Sequence, residues 1–359
     1  MLMRRALVVL VAPALIVAVF AGLARLGWAV GRLGAQAPNH GPLLVIGVFG
    51  TVIALERAVA LGKDWGYFPA WCSGLAALAL IARSTVLVSP LVLGASAGAV
   101  IVNAAITRRG PAPFTWLMLL GAVVYLAGNV AWLRGAAVSA VVPAWFGFFV
   151  LTIVAERLEL SRLGGTPAWA ERVLLGLAAL FALLVVDRVF FHAIGAVSHG
   201  LGVLLALMAA WELRFDLARR TVRMRGLPRY AACAVLAGAT WLFISGAILA
   251  CVDLPPAGPL YDAALHGVFV GFVLSMVFAH APIILPAVAR ARLPYHPLFY
   301  LPLLALHGGL AVRIAGDLAG SPALRRAGGL ANATALLLFV LTAVASRAMT
   351  KPHHAASAH

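Results

Sequence analysis

Apolar stretches of about twenty residues follow one another almost without pause along this chain of 359 residues. That succession constrains the fold more than any motif does. A bilayer core is crossed by a helix of ~20 apolar residues, and backbone inside it must satisfy its own hydrogen bonds. Twelve such segments stand at about 6–27, 41–61, 67–83, 86–107, 113–134, 137–155, 172–191, 196–213, 230–252, 262–286, 297–316 and 327–347. The expected fold is all-α: a polytopic transmembrane helical bundle of about 12 spans, one domain over residues 1–350, followed by a polar tail at 351–359. Hydrophobic residues make up 64% of the chain and charged ones 11%, which excludes a soluble domain of ordinary composition.

The net charge of +16 invites a nucleic-acid partner, but the placement of the basic residues argues for membrane lipid instead. With the N-terminus inside, nineteen of the 27 Lys and Arg fall in inner segments and eight in outer ones. This bias fits the positive-inside rule with both termini cytoplasmic, in a bacterial inner membrane. The longest inner loop, Arg214 to Arg229, carries six Arg and anchors the topology while favouring anionic lipid. The three cysteines, Cys72, Cys233 and Cys251, lie in apolar runs without CxxC spacing, so neither a disulfide framework nor a thiolate metal site is expected. The opening residues read as an uncleaved first span, because the apolar run is long for a signal peptide and lacks a small-x-small cleavage site.

The most informative segment is Tyr261 to Arg290, which carries two histidines inside an apolar run. Polar groups in hydrocarbon are costly and mark function. His266 and His280 are fourteen residues apart, and fourteen steps of ~100° return to nearly one helix face, about 21 Å further along. Gly267 and Gly271 form a GxxxG patch that admits a neighbouring helix or a flat ring. Topology converts position into depth. His40 opens the second segment and His266 stands one turn inside the outer end of the tenth, so the two share a depth near the outer face. His192 and His199 flank an outer turn, His307 lies mid-way along the eleventh segment, and His296 sits in an inner loop. Pro282 and Pro286 are expected to bend or end the tenth helix.

Imidazole is the usual axial ligand of haem iron and a good ligand for copper. His40 and His266 are therefore the candidate axial pair for a haem b, and His307 and His280 are further metal candidates. No CxxCH occurs, which excludes covalent haem of the c type. The competing reading of any one of these histidines is a hydrogen bond across a helix interface. Arg313 either pairs with Asp317 four residues on or holds an anionic group such as a haem propionate. The adjacent opposites Glu56-Arg57, Glu156-Arg157 and Asp187-Arg188 read as local or cross-helix ion pairs, or as stations on a proton path.

The segment ALHGVFVGFVLSM resembles the "LHALTVGAIGGM" type of stretch in the NnrS family of membrane haem- and copper-containing proteins. NHGPLLVIGVFGTVIA resembles the histidine-bearing second span of that family. The neighbours of His40 here are Asn39, Gly41 and Pro42, and LPYHPLFY stands where the family has a GHTGR-like stretch. More distantly, the plan is similar to the catalytic subunit of haem–copper oxidases, whose low-spin haem lies between the second and tenth spans. The copper-ligand histidines of that family's sixth and seventh spans are missing here. The resemblance implies a membrane haem protein in electron transfer or in the response to nitric oxide, with a redox partner or a diatomic gas as its counterpart, and copper as a second possible metal. Two other functions fit the residues: a proton-coupled transporter using Glu56, Glu156 and Asp187, and a cofactor-free structural or assembly subunit.

Overall fold

The computed structural model describes residues 2–191, 196–252, 257–289 and 293–349. The expectations for His192 and for the tail 351–359, with His353, His354 and His359, fall outside these residues. All regular structure among the described residues is helical. The long helices are α1 (Leu2–Arg25), α2 (Gly31–Leu61), α3 (Phe68–Ile81), α4 (Thr85–Arg109), α5 (Pro113–Leu133) and α6 (Val138–Arg162). They continue with α7 (Ala168–Phe190), α8 (Ala196–Phe215), α9 (Leu227–Cys251), α10 (259–289), α11 (Tyr300–Leu318) and α12 (Pro322–Met349). Ten of them are long and apolar enough to cross a membrane, so this is a multi-pass helical protein. The remaining two are α3, with 14 residues, and α8.

Proline opens several of these helices, in the first turn of α3, α5, α9 and α10. The missing N–H costs nothing there, because the first turn has no intrahelical acceptor to serve. Within α10, by contrast, Pro282 and Pro286 do not end the helix, which runs on to Ala289. Side chains such as Val9, Val86, Leu183, Leu304 and Val344 point outward, an apolar surface suited to lipid.

Helices consecutive in sequence pack as antiparallel neighbours, most extensively α11 with α12, α8 with α9 and α5 with α6. The first helix also touches α10 and α12, which closes the bundle. The tenth helix lies at its centre, against α1, α2, α6, α9 and α11. The sixth is the most buried, with 78% of its apolar window inside the protein.

Small residues set the closest approach. A Cβ on Gly246 of α9 would stand 2.5 Å from the Ala206 backbone nitrogen and 2.7 Å from the Gly202 carbonyl oxygen of α8. Backbone cannot swing aside as a side chain can, so Gly246→Leu is expected to cost at least about 1–3 kcal/mol, read as a lowered melting temperature in detergent. Gly176→Ala on α7, where a Cβ meets nothing within 4 Å, should leave it unchanged or slightly raised.

Candidate functional site

His40 and His266 occupy matching positions in two broken helices. α2 passes from a 3-10 stretch at Gly31–Asn39 through His40–Pro42 into a π-helix at Leu43–Gly50, then α-helix at Thr51–Leu61. α10 runs as α-helix over Pro259–His266, π-helix over Gly267–Leu274 and α-helix over Ser275–Ala289. A π-helical stretch bonds i→i+5 and is found mostly at functional sites. In both helices it begins within three residues of the histidine.

The two rings are prepared in the same way. Nδ1 of His40 lies 2.8 Å from the carbonyl oxygen of Ala18 on α1. Nδ1 of His266 lies 2.8 Å from the carbonyl oxygen of Asp262 and 3.3 Å from its Oδ1. A carbonyl oxygen only accepts, so Nδ1 carries the proton in each ring and Nε2 keeps a lone pair. Gly22 makes room for the first ring, since a Cβ there would stand 2.6 Å from Cε1 of His40. Asp262 and Arg313 lie within electrostatic reach of both rings.

Around them is an ion network. Arg313 Nε and Nη2 donate to the two carboxylate oxygens of Asp262 at 2.8 and 2.9 Å. Arg325 lies 3.6 Å from Asp262 and 3.0 Å from Asp317. This corrects both expectations for Arg313. It pairs neither with Asp317 nor with an open anion site, because Asp262, 51 positions away in sequence, takes the Nε–Nη2 edge of its guanidinium. The bidentate geometry is the strongest such pair a guanidinium makes.

The other expected site residues lie elsewhere. Gly267 and Gly271 serve helix packing: a Cβ on Gly267 would collide with Ser245 Oγ, and one on Gly271 would stand 2.5 Å from Cβ of Trp241, both on α9. They turn to a neighbouring helix and not to a flat ring. His307 has both nitrogens in use, Nδ1 accepting from Trp241 Nε1 at 3.0 Å and Nε2 facing Ser275 Oγ at 3.2 Å. Ser275 donates its own proton to the Ala234 carbonyl at 2.7 Å, so His307 Nε2 is the donor to Ser275. His280 is likewise committed, with Nδ1 to the Met276 carbonyl at 2.8 Å and Nε2 accepting from Arg157 at 3.3 Å. Neither has a lone pair to offer a metal. His296 caps a 3-10 turn by accepting from the Leu298 N–H. The single-face expectation for His266 and His280 does not carry across α10, because the π-helix at Gly267–Leu274 breaks the ~100° step it assumed.

His307→Leu is expected to cost about 1–3 kcal/mol by leaving Trp241 N–H unsatisfied, read by thermal unfolding, with no change at His40 or His266.

Asp262 is the site residue that sequence reasoning missed. Its signal was present, four residues before His266 on one helix face. Gly22 carried no such signal. Among the described residues no three His, Cys, Asp or Glu group in a way that could hold a metal ion. Among curated proteins no match to the chain was found. Residues 4–348 match the model of a family described as a domain of unknown function, DUF8744, and the chain belongs to that family.

Proposed function

We propose that this is an integral membrane haem protein in which His40 and His266 are the axial ligands of a haem b. The observation that carries the reading is the shared tautomer: each Nδ1 is tied to a backbone carbonyl, and each Nε2 keeps its lone pair. A hydrogen bond on the far nitrogen orients a ligating imidazole and raises its basicity. Asp262 adds a carboxylate to the His266 side. A haem held between two imidazoles carries single electrons, and one that gives up a ligand takes a diatomic gas such as nitric oxide. Electron transfer or a response to nitric oxide follows from the sequence resemblance. The bundle would cross the bacterial inner membrane twelve times, α3 and α8 included, with both termini cytoplasmic and the two histidines near the outer face. Copper fits less well, because His307 and His280, the further candidates, have both nitrogens engaged.

An absorption spectrum of the purified protein, with a pyridine haemochrome assay for haem type, tests the proposal. A Soret band with b-type haemochrome is the expected result. A colourless protein from haem-replete cells overturns it and leaves the transporter and structural readings.

A further inference from the structure

A second buried polar cluster lies far from the histidine pair. Glu56 follows His40 by sixteen residues, roughly 24 Å along a helix. There, Arg57 stands 2.5 Å from Glu56 and 3.5 Å from Glu156 of α6. The next residue of α6, Arg157, donates to both oxygens of Asp216 at 2.7 and 2.6 Å and reaches Nε2 of His280 at 3.3 Å. Asp216 also accepts from the Ala218 N–H. Glu212, one turn before Asp216, is completely buried, and neither of its carboxyl oxygens has a hydrogen-bond partner.

The charges do not balance. Four carboxyls (Glu56, Glu156, Glu212 and Asp216) share two guanidiniums, Arg57 being committed to Glu56 and Glu156 and Arg157 to Asp216. Fully ionised, the cluster would hold two uncompensated negative charges, with Glu212 completely buried and the Glu56 and Glu156 side chains each 21% exposed. A buried unpaired charge costs more than a buried neutral acid without a partner. Two further titratable groups among the described residues face it, and neither is a cation: His280 accepts from Arg157, and Glu159 lies at the exposed rim near Arg57.

Next to Arg57 is a cavity of about 10 Å³, room for one water molecule, with Ser73, Asn103 and Tyr125 in its lining. Arg57 Nε and the Tyr125 hydroxyl are buried and lack hydrogen-bond partners. One turn on, Asn129 Nδ2 is in the same state, while its Oδ1 accepts from Trp145 Nε1 at 3.0 Å. Trp145 in turn lies against Gly41, beside His40. A bridging water satisfies orphaned groups of this kind.

We propose that this cluster is a proton-binding site, in which Glu212 and the Glu56–Glu156 pair hold the protons and the cavity at Arg57 and Tyr125 holds a water that extends it toward Trp145. The proposal stands apart from the haem reading and needs no cofactor.

Infrared spectroscopy of the full-length protein in lipid nanodiscs at neutral pH tests it, through the carbonyl stretch of protonated carboxyl groups and its shift in heavy water. Two such contributions are expected. Glu212→Gln should remove one and Glu156→Gln the other, while Asp317→Asn in the outer network removes neither. Gly50→Ala places a methyl 2.8 Å from Ser73 Oγ and 3.2 Å from the Tyr125 hydroxyl, and should abolish rapid deuterium exchange of the Glu156 band. A spectrum without protonated-carboxyl absorption, or bands that survive both glutamine variants, overturns the proposal. If Glu212→Gln fails to fold, loss or survival of a band in Glu156→Gln decides in the same way.

Discussion

On the proposed haem reading, replacing His266 by alanine strips the purified protein of haem absorbance, and replacing His40 does the same. On that reading each ring is one of two axial donors. The nearest histidine in the eleventh helix, His307, is bound to Trp241 and Ser275. His307→Leu should therefore retain the full spectrum despite its lower stability, which separates lost ligation from general unfolding. Asp262→Asn should fall between these extremes. It keeps the side-chain shape but weakens the acceptor beside His266 and the pair with Arg313, and second-shell changes of this kind typically cost ~10–100-fold in affinity. Haem content per polypeptide measures all four variants, and added imidazole should restore absorbance to the alanine variants alone. A wild-type protein that binds haem equally well without either histidine would sink the ligand assignment.

Asp216→Ala is expected to be among the most destabilising single changes in the bundle, at about 3–5 kcal/mol. Arg157 and Asp216 are both buried and joined by two hydrogen bonds across α6 and the end of α8. Removing the carboxylate leaves a guanidinium with only His280 as a neutral acceptor. Arg157→Met alone should cost a similar amount, because it strands Asp216 beside Glu212. The double variant Arg157→Met/Asp216→Leu should recover most of the loss, since apolar packing often replaces a buried ion pair without penalty. Thermal unfolding in detergent gives the three values. Additive losses in the double variant would show that the two side chains do not act as a pair.

Much of the architecture was legible in the sequence, because a membrane imposes a length and an apolar composition on each helix. The ten long apolar helices coincide with ten of the expected segments, and helices α3 and α8 occupy the other two positions. What stayed hidden was every choice of partner. Glu156 and Arg157 are neighbours in sequence, yet the first faces Arg57 and the second Asp216, because successive side chains on a helix point ~100° apart.

From the sequence came a bundle of long apolar helices and their order along the chain. The tertiary structure alone decided which groups are free to bind anything. Arg313, His280, His307 and the Gly267–Gly271 patch all had the right chemistry for a site, and each is occupied by a residue far away in the chain. Hydrophobicity is a local property, summed along one segment, whereas a lone pair is spent or spared only by what the neighbouring helices bring to it.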